Sequence, residues 1–213
     1  MNKDKTKNAV EIFNKFANEY QDKFMDTQLY HESFDLFCEH IAKENADILE
    51  LACGPGNITR YLLEKRPGFK ILGIDLSLNM IGLAKANNPT AVFELMDCRA
   101  IRSIDKKYNA MMCGFALPYL SKEEALELIA DASVLLGADG VLYLSTMEGD
   151  YGSSGLQRSS SGDEMYIHFH QEDYLINALK AKGFEIVNLQ RKDYLMQNGA
   201  GVTDLIIIAK KGS

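Results

Sequence analysis

The feature that most constrains the fold is an apolar run that breaks at a Gly-Pro-Gly turn and resumes with helical spacing. Ile48–Leu51 is apolar apart from Glu50, a pattern typical of a buried parallel strand. After the turn at 54–56, Ile58 and Leu62 fall on one face of a predicted helix. Glycine has no Cβ and accepts unusual backbone angles, so this turn lets a ligand approach the main chain. Open α/β sheets bind nucleotide-like ligands at such turns.

Two later strand-like runs each end in an acid. The run at 69–74 is followed by Asp75, and the run at 91–96 is followed by Asp97. An acid about 20 residues beyond the glycine turn commonly accepts hydrogen bonds from a ribose. Either acid alone is explained as well by capping of the next turn. Together with the glycine turn, they predict one ligand site along the carboxyl edge of a sheet.

Four segments carry a resemblance to a known family. Residues 49–56, Leu-Glu-Leu-Ala-Cys-Gly-Pro-Gly, resemble the first motif of the class I S-adenosylmethionine-dependent methyltransferases. Residues 73–81 are similar to their second motif, residues 96–98 to their third, and residues 136–142 to the turn before their fifth strand. The similarity runs from about Ala46 to the C-terminus. One departure is Ala52, which occupies a position where the family often has glycine.

The resemblance implies S-adenosylmethionine as the cofactor and assigns roles around it. Gly54 and Gly56 would admit the methionine portion, Asp75 would accept from the ribose hydroxyls, and Asp97 would accept from the adenine amino group. Further candidates are Leu76 and Met80 flanking adenine, Cys98 as its small apolar neighbour, Ala52 in the turn, and Glu50 bracing the turn from within the strand.

Strand-like and helix-like segments alternate through the middle of the chain. Strands are expected at 46–51, 69–74, 91–96, 108–113, 141–146, 184–191 and 202–210, and helices at 57–66, from Ser77, at 121–136 and at 171–182. The predicted fold class is α/β. The expected sheet is doubly wound, seven-stranded and mostly parallel, with an antiparallel C-terminal hairpin and helices on both faces.

One domain over 1–213 is expected, divided into four parts. A helical lid occupies 1–45, the cofactor-binding core 46–147, a flexible active-site loop 148–170, and a C-terminal helix and β-hairpin 171–213. Nine of the fourteen residues at 149–162 are Gly or Ser, which favours flexibility. The lid is rich in aromatic residues. They either pack on the sheet or face the ligand, with Tyr20 near the cofactor and Tyr30 in the acceptor pocket.

Candidates for the acceptor side are sparse. Phe115, after the fourth strand, either lies beside the transferring methyl group or fills the pocket wall. Alternation places His168 and His170 on one side of an extended segment, where either could act as a general base. A surface or capping role is favoured over the general-base role. No third ligand clusters with them, so no metal site is predicted.

Composition limits the possible partners. The net charge is −7, which argues against a surface that follows nucleic-acid phosphates. The four cysteines are widely spaced, which suits free thiols in a reducing compartment. No signal peptide or membrane span is evident, so a cytoplasmic protein is expected, as a monomer or homodimer.

The leading hypothesis is a methyltransferase that acts on a small-molecule acceptor. An NAD-dependent oxidoreductase is one alternative, but the turn at 54–59 lacks the third glycine of Gly-x-Gly-x-x-Gly. A non-catalytic S-adenosylmethionine-binding module is another, because no base is assigned. A nucleic-acid methyltransferase ranks lower on charge. The Asn/Asp-Pro-Pro-Tyr/Phe motif of base and glutamine methyltransferases is also missing after the fourth strand.

Overall fold

The structure, a computed structural model, describes residues 5–158, 162–195 and 201–212. Its α-helices are α1 (Lys5–Lys15), α2 (Ala17–Phe24), α3 (His31–His40), α4 (Asn57–Lys65), α5 (Leu78–Asn87), α6 (Lys122–Leu135) and α7 (Glu172–Ala181). Its strands are β1 (Asp47–Leu51), β2 (Lys70–Asp75), β3 (Val92–Leu95), β4 (Tyr108–Cys113), β5 (Leu136–Glu148), β6 (Gly155–Arg158), β7 (Glu164–Ile167), β8 (Phe184–Leu195) and β9 (Gly201–Lys211). Within these ranges, no helix combines the length and the apolar character that a bilayer crossing requires.

Seven strands form one sheet in the order β3-β2-β1-β4-β5-β9-β8. The first five pair in parallel, and β9 lies antiparallel between β5 and β8. The predicted α/β sheet and its antiparallel C-terminal hairpin are therefore confirmed. Strand order reverses between β1 and β4, and a crevice at such a reversal is the usual ligand site of an open parallel sheet.

Alternate residues of β1 point to opposite faces of the sheet. Leu49 and Leu51 join a core with residues of α6 and α7, whereas Ile48 joins a core with residues of α3 and α4. The strand is apolar on both sides because helices cover both faces. This arrangement confirms the predicted doubly wound packing.

Local capping signals fix where helices begin. The Ser77 side chain accepts from the backbone N–H of Met80 at 3.2 Å, which starts α5. Ser121 and Glu124 form the reciprocal capping box that starts α6. The turn expected within 136–142 lies instead inside β5, where the pairing register shifts between Tyr108 and Ala110 of β4. The extra residues are accommodated as a bulge.

The lid predicted for 1–45 contains α1 and α2, and from here on the name lid means these two helices. They lie between α5 and β7. On one side, Asn14 Oδ1 accepts from the backbone N–H of Asn79 at 3.0 Å, at the start of α5. On the other side, Asn8 Nδ2 donates to the carbonyl of Glu164 in β7 at 2.6 Å. The lid is thus held across the carboxyl edge of the sheet.

The segment at 148–170 differs from the flexible loop that the sequence predicts. A short 3-10 helix spans Tyr151–Ser153, and β6 and β7 pair antiparallel as a separate two-stranded sheet. Residues 159–161 lie outside the described residues. Leu156, inside the Gly/Ser-rich stretch, is the cross-strand partner of Tyr166 just beyond it, and α1 contacts β7.

Candidate functional site

A cavity opens at the carboxyl ends of β1, β2 and β4 and beneath the lid. It has an empty volume of about 770 Å³, part of it continuous with solvent, which is in the range of small-molecule sites. The lining residues come from the lid and from the loops after the strands: Thr6, Ala9, Val10, Phe13, Tyr20, Ala52, Gly54, Asp75, Leu76, Met80, Met96, Asp97, Cys98, Gly114, Phe115, Ala116, Tyr119 and Leu120. Seven of the residues predicted to hold the cofactor in the core are therefore brought to one hollow, together with Tyr20.

The turn after β1 is built from three left-handed residues, Ala52 (φ +50°), Gly54 (φ +54°) and Gly56 (φ +78°). A Cβ on Gly54 would point into open space, with the Tyr20 ring as its nearest neighbour at 3.9 Å. A Cβ on Gly56 would instead collide with Asn88 and crowd Ala84 at 3.3 Å. Gly54 thus keeps the cavity open, whereas Gly56 lies outside it and lets α5 pack against the turn.

Asp75 links the turn to the end of β2. Its Oδ2 accepts from the backbone N–H of Gly54 at 2.9 Å, and its Oδ1 accepts from that of Ser77 at 2.8 Å. Burial raises the pKa of this carboxyl, and the same backbone hydrogen bonds oppose the rise. A carboxylate has about four acceptor positions, so Asp75 retains capacity to accept from a ligand.

Asp97, after β3, is gripped by an arginine that sequence reasoning missed. Arg99 donates from Nε and Nη2 to Asp97 Oδ2 at 2.9 and 2.7 Å, and from Nη1 to Glu124 at 2.9 Å. Arg99 Nε also donates to Asp97 Oδ1 at 3.1 Å, so the arginine holds both carboxylate oxygens beside Cys98. The Asp-x-Arg spacing is visible in the sequence, but alone it does not indicate that Arg99 holds Asp97 at a cavity.

The lid supplies the upper wall of the cavity. Tyr20 lies over Gly54 and packs edge-on against Phe13, with ring centroids 5.6 Å apart. Burial, and then the charge of Asp75, raises the pKa of Tyr20 to about 12. Phe13 also packs edge-on against Tyr119 at 5.1 Å. Phe13 and Tyr119 were not among the predicted site residues, and both line the cavity.

Comparisons with known proteins agree with this geometry. Residues 48–140 match the family model described as "Methyltransferase domain". A putative methyltransferase, YqeM, from Bacillus subtilis (strain 168) is 32% identical over 139 residues, which are 62% of this chain and 53% of that protein. The chain therefore spans about half the length of this relative.

Two other similarities cover nearly the whole chain. The tRNA N(3)-methylcytidine methyltransferase trm141 of Schizosaccharomyces pombe is 25% identical over 90% of this chain and 86% of its own. The 1,6-didemethyltoxoflavin-N1-methyltransferase of Burkholderia thailandensis, solved with S-adenosylhomocysteine, superposes with a TM-score of 0.70 at 21% identity, over 97% of this chain and 88% of its own. The chain therefore shares the fold of this solved methyltransferase, and the family model adds a sequence similarity over 48–140.

Within this methyltransferase fold, Glu50 lies beneath the glycine turn rather than in the cavity. It is 1% exposed, accepts from the Thr59 hydroxyl through Oε2, and has no partner for Oε1 among the described residues. Burial raises the pKa of its carboxyl to about 8. Glu50 thus lies where a residue that braces the turn from within the strand would lie, and it does not line the cavity.

Phe115 lies at the other end of the cavity, with Tyr30 packed beside it. Phe115 lines the cavity at φ +59°, and its backbone N–H donates to the Ser145 hydroxyl at 3.0 Å. The Tyr30 ring packs on Phe115 with centroids 5.1 Å apart, although Tyr30 is not part of the lining. The Tyr30 hydroxyl donates to Asp204 Oδ2 at 2.6 Å. Sequence reasoning did not select Asp204.

The two histidines offered as general bases do not line the cavity. His170 is fully buried, its Nε2 hydrogen-bonds the carbonyl of Leu117 at 2.8 Å, and its Nδ1 contacts the hydroxyl of Tyr174. Burial lowers the pKa of His170 to about 4. His168 is 5% exposed and stacks on Tyr151. Both pack as structural side chains between β7 and α7, so the geometry does not support the catalytic assignment.

Proposed function

We propose that this chain is an S-adenosylmethionine-dependent methyltransferase whose acceptor is a small molecule. The observation that carries the proposal is the convergence of Gly54, Asp75 and Asp97 on one cavity covered by Tyr20. In this assignment Asp75 holds the ribose, Asp97 and Cys98 face adenine, and Gly54 leaves room for the methionine portion. The cofactor supplies an electrophilic methyl group on a sulfonium cation.

The residues present fit such a ligand on two grounds. Gly54 lacks the Cβ that would occupy the hollow, and Asp75 faces it with acceptor capacity left over. Leu76 and Met80 provide apolar surface on the adenine side. The tyrosine and phenylalanine faces above suit a sulfonium, because aromatic faces attract cations. The protein's own contribution is alignment, which supplies much of the acceleration in a displacement of this kind.

The lining also bears on the acceptor. Among the described residues that line the cavity there is no lysine, arginine or histidine. A polyanionic acceptor would have no counter-charge there, and a nucleic acid would meet a chain of net charge −7. An uncharged small molecule suits the mostly apolar lining. Methylation of tRNA is the second candidate, favoured by the similarity to trm141 over most of both chains.

The donor is tested by calorimetric titration with S-adenosylhomocysteine and, separately, with NAD. We expect binding of S-adenosylhomocysteine only. If NAD binds and S-adenosylhomocysteine does not, the oxidoreductase alternative is favoured and the proposal is overturned.

The acceptor is tested by incubating the protein with methyl-tritiated S-adenosylmethionine and either a desalted small-metabolite extract or total tRNA. We expect label in the metabolite fraction, lost in Asp75→Ala. Label confined to tRNA would reject the small-molecule acceptor, and no transfer to either pool would indicate a binding module.

A further inference from the structure

Arg99 does not line the cavity, but it holds two residues that do. Its Nε and Nη2 bind Asp97, and its Nη1 donates to the Thr6 hydroxyl of α1 at 3.3 Å. The Thr6 hydroxyl donates its own proton to the carbonyl of Tyr119 at 3.4 Å, so its oxygen is free to accept from Arg99. Arg99 therefore acts on the cavity through other side chains.

Glu124 fixes the guanidinium group of Arg99 from a further element. Its Oε1 accepts from Arg99 Nη1 at 2.9 Å, and its Oε2 accepts from the backbone N–H of Ser121 at 2.7 Å, in the capping box of α6. The guanidinium is thus anchored on the turn after β3, on α6 and on α1. The side chains of Arg99 and Asp97 are 27% and 24% exposed, and ion pairs that keep contact with solvent usually add little to stability. The arrangement is better explained by the orientation that it gives to Asp97.

The hydrogen bonds from Arg99 leave Asp97 with one open acceptor position. An ionised carboxylate has about four lone-pair positions. Three N–H groups of Arg99 occupy three of them. The backbone N–H lies 2.8 Å from Oδ1, Nη2 lies 2.7 Å from Oδ2, and Nε is shared between the two oxygens at 3.1 and 2.9 Å. Because Asp97 lines the cavity, the remaining position is available to a ligand.

A fixed carboxylate with one open position accepts a hydrogen bond and rejects a second acceptor. An amino group on the edge of a base supplies an N–H to that position. A keto oxygen at the same place would set its lone pairs against those of Asp97. A free aspartate could turn away from the keto oxygen, towards the ring N–H beside it, but the planar fork of Arg99 opposes this rotation. The discrimination therefore depends on Arg99, although only Asp97 meets the ligand.

We propose that Arg99 is the positioning residue that makes Asp97 select a donor with a 6-aminopurine base over one with a 6-oxopurine base. This inference rests on the proposed function, in which Asp97 faces adenine. Asp97 contacts the base. Arg99 acts through Asp97, because it holds the carboxylate plane and fills the other acceptor positions.

The test compares S-adenosylhomocysteine with S-inosylhomocysteine, which carries a keto oxygen at position 6 and a proton on N1 of the purine. Titration calorimetry with the full chain measures both dissociation constants. The wild type should bind S-adenosylhomocysteine about 100-fold more tightly, because a site built to accept a hydrogen bond rejects a ligand that cannot donate it.

Variants of Arg99 should change the ratio of the two dissociation constants. Arg99→Lys keeps the positive charge without the fork and should lower the ratio about tenfold, and Arg99→Gln should lower it further. In both variants the freed carboxylate can turn to the N1 proton of the oxopurine. A purely structural role for Arg99 would instead weaken both ligands together and leave the ratio unchanged.

Arg102 is a matched control on the same short 3-10 helix, Cys98–Ser103. Its side chain is 60% exposed, and its ion pair with Asp131 spans 3.8 Å. Arg102→Lys and Arg102→Gln should keep the wild-type ratio. Thermal unfolding shows whether each variant is folded, and if Arg99→Gln is not, Arg99→Lys decides.

The outcomes separate this inference from the proposed function. Equal affinity of the wild type for the two ligands would overturn the role of Arg99, whichever variants fold. A wild-type preference that persists unchanged in Arg99→Lys and Arg99→Gln would overturn it as well. In both cases the binding of S-adenosylhomocysteine leaves the donor assignment standing. If the wild type binds neither ligand, the proposed function fails together with the inference.

Discussion

The two ends of the cavity are assembled in different ways. The donor edge, which we define as Gly54, Asp75 and Asp97, comes from consecutive strand ends and is held by backbone hydrogen bonds and a neighbouring arginine. The opposite side, which we define as Phe115 with Tyr30 and Asp204 packed behind it, joins the N-terminal region to the last strand, because Tyr30 and Asp204 are 174 residues apart in sequence. The first set depends on short sequence segments at the strand ends. The second set forms only after β9 has paired with β5.

The largest expected effect breaks the donor edge alone. Asp75→Ala removes the acceptor for the Gly54 and Ser77 N–H groups and for the ligand's hydroxyls, so affinity for S-adenosylhomocysteine should fall about 100-fold, or about 3 kcal/mol. Titration calorimetry measures this. The exposed Asp105→Ala is the control and should bind normally. Affinity within threefold of wild type for Asp75→Ala would mean that the donor edge is misassigned.

Glu50 sharpens the comparison because it is an acid near the donor edge that does not reach the cavity. Its pKa of about 8 in the folded protein exceeds the value of about 4.5 for an exposed Glu, so the folded state binds more protons between those limits. Stability should therefore fall as pH rises from 5 to 8. Glu50→Gln should reduce this fall in the free energy of unfolding by about 2 kcal/mol, as measured by urea unfolding at pH 5 and at pH 8.

The exposed Glu39→Gln serves as a control for Glu50→Gln and should keep the wild-type slope. Asp204, with a pKa of about 6, leaves a residual slope of the same sign in both variants at the lower end of the range. An unchanged slope in Glu50→Gln would show that Glu50 is charged in the folded protein at neutral pH.

The two glycines of the turn separate binding from folding. Gly54→Ala places a methyl group in the cavity and should weaken S-adenosylhomocysteine about tenfold, with about 1 kcal/mol of stability lost to the positive φ. Gly56→Ala collides with Asn88 and should lose more stability than Gly54→Ala. Calorimetry and thermal unfolding of both variants measure the contrast. The reverse ranking would contradict the placement of the two residues.

The smallest expected effect concerns Ala52. Its φ of +50° suits glycine, so Ala52→Gly should relieve about 1 kcal/mol of strain, partly offset by the greater freedom of glycine in the unfolded chain. Thermal unfolding should show an unchanged or slightly higher melting temperature. Clear destabilisation would mean that the Ala52 methyl group makes a packing contribution larger than the strain.

The same contrast explains what could be predicted from sequence. Period-2 and period-3.6 patterns located the strands and helices, and the acids at strand ends located the donor edge, because these features depend on neighbours in sequence. Tyr119 and Asp204 were missed because their roles depend on which elements become adjacent, and Arg99 was missed because its Asp-x-Arg spacing gains significance only when α6 brings Glu124 to it. The Asp204–Tyr30 pair forms only when β9 inserts beside β5.

The histidines illustrate the opposite error. Their spacing was read correctly as placing them near each other, with ring centroids 6.4 Å apart. Both side chains are buried among aromatic neighbours and do not line the cavity, and their spacing in the sequence does not reveal this. Proximity of chemically capable groups is therefore insufficient without a common opening to a ligand.

The attachment of α1 has a kinetic consequence. That helix roofs the cavity, and Asn14 and Asn8 tie it to α5 and β7 at its two sides. The cavity is partly continuous with solvent, and undocking of this 11-residue helix would widen its opening, so we expect a bound nucleoside-sized molecule to dissociate faster when either tie is removed.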